Sequence, residues 1–250
     1  MALDAIILAA GRASRMGLPK ALLPAGPNHT LLSRVVALAL GAVDGATFVV
    51  VGSEPEMMHV EIARCGAMAG VGGRPRVKTI VNAAYAQGQS TSLVAAIRRV
   101  RAEGALLLLV DQPALRLDEV TSLVRTWRGR APNTLAVATA SDGRQRTPVI
   151  LGAKLFPKLL DLEGDQGARR VLRAHTSQVQ LVEWAAGMWQ IDVDTWEDYV
   201  QLARALAWDR ECDKEVRDLL HEWAAISAHE IEPARRLAAL RRGALAALQS

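Results

Sequence analysis

Cysteine is almost missing from these 250 residues: only Cys65 and Cys212 are present, far apart in the chain. Two such residues make neither a disulfide framework nor a thiolate metal site, and they suit a reducing compartment. Phenylalanine and tyrosine number two each, which argues against an aromatic platform for single-stranded nucleic acid. No apolar run approaches the roughly 18 residues that a membrane span requires. The longest, Ala105 to Val110, is closed by Gly104 and Asp111 and reads as a buried strand. Met1-Ala-Leu-Asp4 carries no basic stretch ahead of its apolar run, so no secretory leader is expected and the cytoplasm is the expected location. The five histidines are scattered, and H-E-x-x-H, G-x-S-x-G and Cys/His clusters do not occur, so nothing points to nucleophilic catalysis. The net charge of +4 includes no long basic run. It suits a site for a polyphosphate better than a nucleic-acid or membrane surface.

What is present is alternation. Short apolar runs at Ala5–Leu8, Thr47–Val51, Val77–Val81 and Ala105–Val110 are separated by helical patterns at Leu31–Leu40, Pro55–Cys65 and Thr91–Val100. Continuous apolar strands are buried on both faces, so a mainly parallel α/β sheet is expected. Leu135–Thr139 and Pro148–Leu151 read as further strands around an Asp142-Gly143 turn. Gln178–Glu183 and Met188–Ile191 read as two late strands, and residues 69–75 as a loop. From about Asp209 the strand signal stops, and an Ala/Leu/Arg/Glu-rich stretch broken near Pro233 predicts a helical pair. The chain therefore divides into a domain over 1–207 and a helical appendage over 208–250. In the appendage Val216, Leu219, Leu220 and Trp223 share one apolar stripe.

The strongest motif follows the first strand: Leu8-Ala-Ala-Gly-Arg-Ala-Ser-Arg-Met-Gly-Leu-Pro-Lys20. Small residues let backbone amides approach a ligand, and Arg15 and Lys20 add two cations, which is the composition of a polyphosphate cradle. Five residues separate Gly11 from Gly17 and Lys20 comes later still, so it is not a P-loop. Asp111 closes the most apolar strand. At the carboxyl end of a strand, opposite a phosphate loop, a carboxylate is placed to hold Mg²⁺. Asp192 and Asp194 lie on one side of an extended segment, so either can add a second metal-facing carboxylate. Thr195 and Asp198 read as a capping pair for the helix that follows. In Gln87-Gly-Gln-Ser-Thr-Ser92, Ser90 or Thr91 either caps a helix or reads a nucleobase edge. Glu163-Gly-Asp-Gln-Gly-Ala-Arg169 is either a solvated turn or the seat of an acceptor's phosphate on Arg169.

These segments, in this order, resemble the molybdenum cofactor nucleotidyltransferases, within the Rossmann-like pyrophosphorylases, over roughly residues 4 to 205. The resemblance implies a three-layer α/β/α nucleotidyltransferase fold. It also implies transfer of a nucleoside monophosphate from a nucleoside triphosphate to a phosphorylated small-molecule acceptor, with Mg²⁺ as cofactor. Ala9-Ala10 stands where the guanylyltransferase branch usually carries Gly-Gly, so the cytidylyltransferase branch, CTP as donor and molybdopterin as acceptor are implied. Position by position, Arg15, Lys20 and Asp111 would be catalytic, with Asp111 on the metal and Asp192 or Asp194 beside it. Ala9, Ala10, Gly11 and Ser92 would line the nucleobase and ribose pocket, together with the two cations. Gln112 stands where Met is commonest, Trp196 where Pro is usual, and Gln89 where Met is frequent. A molybdenum hydroxylase or its maturation chaperone is an implied partner. The rival readings are another acceptor phosphate, GTP as donor, or a nucleotide-binding chaperone without catalysis.

Overall fold

The structure is a computed structural model that describes residues 2–11, 19–26, 29–53, 55–68 and 76–208. Arg15, the loop at 69–75 and the appendage from 209 onward lie outside the described residues. Seven strands form one sheet in the order β3-β2-β1-β4-β6-β5-β7. They are β1 (Leu3–Ala9), β2 (Thr47–Val51), β3 (Val77–Val81), β4 (Gly104–Leu109), β5 (Ala136–Ser141), β6 (Arg144–Gly152) and β7 (Val179–Glu183). β6 runs antiparallel to both β4 and β5, and every other pairing is parallel.

Strand alternation sends side chains into two cores. Ala5 and Ile7 of β1 face α1 (Leu31–Ala42), α2 (Pro55–Met68) and α4 (Leu117–Arg128). Ile6 and Leu8 face α3 (Gln89–Ile97), α5 (Phe156–Leu160) and α6 (Arg169–Ala174). The result is the expected three-layer α/β/α sandwich with a mainly parallel sheet. α4 carries Val120, Leu123, Val124 and Trp127 at helical spacing on its buried face. That helix is an addition to the sequence reading. A third cluster joins α7 (Trp196–Ala205) to the segment after Lys20: Tyr199 and Leu202 pack on Leu23 and Leu31, and Tyr199 Oη donates to Pro24 O at 2.7 Å.

Two expectations need correction. Met188–Ile191 is not a strand. Met188–Gln190 forms a single 3₁₀ turn, because the Trp189 indole turns inward and donates to Ala185 O at 2.9 Å, stacking edge-on against Trp184. Neither Ser90 nor Thr91 caps α3. The helix starts at Gln89, two residues before the expected Thr91, behind Gly88, and the two hydroxyls bond elsewhere. The Thr195–Asp198 capping box at α7 is present as read, and Asp142-Gly143 makes the two-residue turn of the β5–β6 hairpin with positive φ at both positions.

Candidate active site

The site lies where the carboxyl ends of β1 and β4 lie side by side, the usual ligand crevice of open α/β sheets. Pro19 holds an extended backbone, and a short 3₁₀ turn follows over Lys20–Leu22 with Ala21 and Leu22 buried. The apolar neighbours fix the turn and leave Lys20 as its outward arm, half-buried over the end of the sheet. Its Nζ donates to Asp111 Oδ2 at 2.8 Å, to Val193 O at 2.9 Å and to Asp194 Oδ1 at 3.2 Å. Burial alone would lower the Lys20 pKa, but the carboxylates of Asp111 and then Asp194 overcome it, and the net shift is upward.

Asp111 lies two residues past the end of β4, and its own carbonyl receives Val193 N–H at 2.8 Å. That backbone bond carries the 191–195 segment to the centre and separates the two late aspartates. Asp194 reaches Lys20. Asp192 turns to Gln112, whose Nε2 donates to its Oδ1 at 2.8 Å. Burial pushes the Asp192 carboxyl up, the Gln112 hydrogen bond opposes this, and the like charges of Asp111 and Asp194 add to the rise. Asp111 Oδ1 is buried and has no hydrogen-bond partner among the described residues.

Two cavities meet here. The first, of about 390 Å³, is lined by Ala10, Gly11, Lys20, Ser92, Asp111 and Tyr85, among others. Ser92 is held by Asn82 Nδ2 at 2.9 Å, which also donates to Thr91 Oγ1 at 2.8 Å. Ala9, expected beside Ala10, turns its Cβ to the opposite face of the sheet and packs on the α1/α2/α4 core. Strand alternation forbids both side chains from reaching one pocket. The second cavity, of about 320 Å³, is lined by Gln112, Asp192, Arg146, Arg169 and Gln145 with an apolar floor that includes Leu107 and Val149. Leu8, Leu109, Gln89 and Asp165 are common to both walls.

Between them sits the 163–168 turn, fastened to the first turn of α3. Ser90 Oγ donates to Gly164 O at 2.6 Å, and Ser90 N–H donates to the same oxygen at 3.2 Å. Gly88, at φ 126°, allows this approach: a Cβ there would lie 2.3 Å from the Gly164 carbonyl. The turn thus delivers Asp165 to both cavities and Arg169 to the second. Arg146 was not singled out from sequence. It lies on β6 just past the Asp142-Gly143 turn, and its Nε is buried without a partner among the described residues. The two-arginine stretch Arg144-Gln-Arg146 was its only trace in the sequence.

The model of the "MobA-like NTP transferase domain" matches residues 5–179. The chain belongs to that family. It is 31% identical over 208 residues to the purine catabolism protein PucB of Bacillus subtilis, covering 81% of this chain and 96% of that one. A probable molybdenum cofactor guanylyltransferase of Rhodopirellula baltica is 28% identical, with coverage of 58% and 64%. The molybdenum cofactor cytidylyltransferase of Escherichia coli is 27% identical, with coverage of 80% and 94%. Among solved structures, Rv0371c of Mycobacterium tuberculosis superposes with a TM-score of 0.64 at 23% identity, covering 82% and 98%. That likeness supports the nucleotidyltransferase fold. The resemblance to molybdenum cofactor nucleotidyltransferases is therefore borne out, and the donor base and acceptor are matters for proposal. Among the described residues no helix is long and apolar enough to cross a membrane.

Proposed function

We propose that this nucleotidyltransferase moves CMP from CTP onto the phosphate of molybdopterin or its molybdenum form. The observation that carries the reading is Lys20 gripping Asp111 and Asp194 beside a cavity with Ala10 in its wall, which shares Gln89 and Asp165 with a second cavity that holds Arg146 and Arg169. The acceptor's phosphate oxygen bonds to the α-phosphorus of CTP while the bond from that phosphorus to the β-bridging oxygen breaks, and pyrophosphate leaves with the electron pair. A phosphate monoester is already anionic near neutral pH, so no strong base is needed. The obstacle is repulsion between two anions. Lys20, with Arg15, offsets it on the donor side, and Arg146 and Arg169 offset it on the acceptor side. The cavities fix the approach, which removes much of the entropic barrier.

The chemistry of the donors suits Mg²⁺. Asp111 and Asp194 offer hard carboxylate oxygens, one Asp111 oxygen is buried without a partner, and a cation already sits between them. No group of three or more candidate side chains is gathered among the described residues. Mg²⁺ needs only one or two carboxylates when phosphates and waters complete its shell. Asp111, with Asp194 as the second ligand, would hold it, and it would neutralise charge on the donor's phosphates. Asp192, engaged by Gln112, is better placed to face the acceptor.

Ala10 supports a pyrimidine donor, since its β-carbon occupies cavity space that glycine would leave to a purine. The test is pyrophosphate release with each of the four nucleoside triphosphates, with and without molybdopterin. CTP should be preferred, and a GTP preference would move the donor assignment. The relative named for purine catabolism carries no transferase activity in its name, and a second reading is a nucleotide-binding chaperone for a molybdenum hydroxylase that performs no transfer. Binding of CTP with no pyrophosphate from any pair would select that reading.

A further inference from the structure

Lys20 has a second role in the geometry of its head group. An ammonium has three N–H donors, and all three are used: on Asp111 Oδ2, Val193 O and Asp194 Oδ1, at 2.8, 2.9 and 3.2 Å. Two of those acceptors are the carboxylates that would hold a divalent cation, and the third is a backbone carbonyl from the segment between Asp192 and Asp194. In this arrangement Lys20 has no donor left for a phosphate, and its ammonium covers one oxygen of each carboxylate, with Asp111 Oδ1 buried behind it. The two jobs expected of the site, phosphate binding by Lys20 and metal binding by Asp111, therefore compete for the same groups here.

We infer that Lys20 is a placeholder for the divalent cation: it occupies the carboxylates until a nucleotide's phosphates draw its ammonium away and open them to the metal. The inference rests on the proposed function for the nature of the anion. Its physical basis is that an ammonium and a divalent cation compete for one seat, since at contact distance their repulsion offsets part of the attraction of the shared carboxylates. The four-carbon stem of a lysine lets its head move between neighbouring anions while the buried Ala21–Leu22 turn stays fixed. Donor phosphates supply the alternative partner, so nucleotide and metal must favour each other's binding. By linkage the factor is the same in both directions. A metal without nucleotide meets an occupied seat, which holds the metal-charged site back until the donor is present.

Mn²⁺ binding to the full-length protein, followed by the electron paramagnetic resonance of the free ion, tests this without turnover. In wild type, CTP should tighten Mn²⁺ by about tenfold or more, beyond the Mn²⁺ that CTP binds by itself. In Lys20→Met the nucleotide-free protein should bind Mn²⁺ about tenfold more tightly than wild type, and the benefit of CTP should shrink toward none. Lys20→Gln, which loses the charge and keeps a donor, should follow Lys20→Met, whereas Lys20→Arg should stay weak without nucleotide. Asp111→Asn should bind poorly in every arm. If nucleotide-free Lys20→Met and Lys20→Gln, both folded by circular dichroism, bind Mn²⁺ no better than wild type, the placeholder is overturned even where CTP turnover is normal. Failure of Mn²⁺ to bind wild type and variants alike overturns it too. Tighter Mn²⁺ in the neutral variants together with no binding of CTP would uphold the placeholder and sink the donor reading instead.

Discussion

The two cavities handle charge in opposite ways. On the donor side Lys20 is held by two carboxylates and a carbonyl, so positive and negative groups are matched within the protein. On the acceptor side Arg146 and Arg169 form no ion pair among the described residues, Arg146 Nε is buried without a partner, and Asp192 is occupied by a neutral amide. The first wall holds a paired cation that must move to work, with Asp111 Oδ1 left unpartnered, and the second holds two arginines outside any ion pair among the described residues that an anionic ligand would engage. The difference follows from the folds of the two halves. The donor wall hangs on parallel strands whose carboxyl ends converge, with β2 buried throughout. The acceptor wall is assembled from a hairpin and a turn at the more exposed side of the sheet, where β7 is largely open.

Breaking the donor side should have the largest effect. Asp111→Asn removes the charge that both Lys20 and a metal require, while keeping the side chain's shape. Pyrophosphate release should fall by a hundredfold or more, in line with about 3–4 kcal/mol for one lost transition-state contact. The far-ultraviolet circular dichroism should stay that of the wild type. Turnover within a few-fold of wild type would remove Asp111 from the chemistry.

The acceptor side should fail differently. Arg146→Ala and Arg169→Ala should each raise the KM for the acceptor about tenfold, the scale of one hydrogen bond to a charged group. The KM for CTP should remain within about twofold, since neither residue lines the donor cavity. Steady-state kinetics with each substrate varied in turn decides it. A rise in the CTP constant instead would show that the two cavities are one site.

Ser90→Ala sharpens the comparison at the shared wall. It deletes the 2.6 Å bond that fastens the 163–168 turn to α3, leaving Gly164 O with only the weaker backbone donor. A loss of about 1–2 kcal/mol is expected for a part-buried hydroxyl bond. Chemical denaturation measures it. Because Asp165 borders both cavities, both Michaelis constants should rise together, unlike the arginine variants.

How much of this was legible in the sequence depended on distance along the chain. Thr47–Val51 and Val77–Val81 are read to the residue because each is an apolar run bounded by breakers or charge. Met188–Ile191 misleads because its alternation mimics a strand, and only the Trp189 indole bond, invisible in the pattern, closes it into a turn. The motif sets Ala9 with Ala10, although period-2 alternation on β1 separates them. The Gln112–Asp192 pair spans 80 positions, and no local rule connects them. Gln112 nonetheless stood out as a departure from the family's usual Met, and the structure gives that departure a partner. On the donor side Ala10, Gly11 and Lys20 come from one loop and Asp111 from one strand end, so these can be read locally. The acceptor side draws its residues from β4 and the turn after it, β6, α6 and the 191–195 segment, and its membership appears only on folding.

The smallest expected effect concerns Asp192 and returns to the matching of charge. Burial first, then Asp111 and Asp194, raise its carboxyl above the usual 3.8, against the pull of Gln112 and Lys20. A raised acid favours its neutral form in the fold. The stability it contributes is therefore present below the unfolded value and lost as pH rises through the folded one. Near neutrality the charged carboxylate is a mild burden that Asp192→Asn removes, and the asparagine Oδ1 can still accept from Gln112 Nε2. Melted in chelator without ligands, the variant should exceed wild type at pH 7 by no more than about 2 °C, since the side chain is partly open to water. The gap should close as the pH falls toward 3.8 and both side chains become neutral. A variant less stable than wild type at pH 7 would mean that the negative charge of Asp192 is compensated in the fold, against the contrast drawn between the two walls.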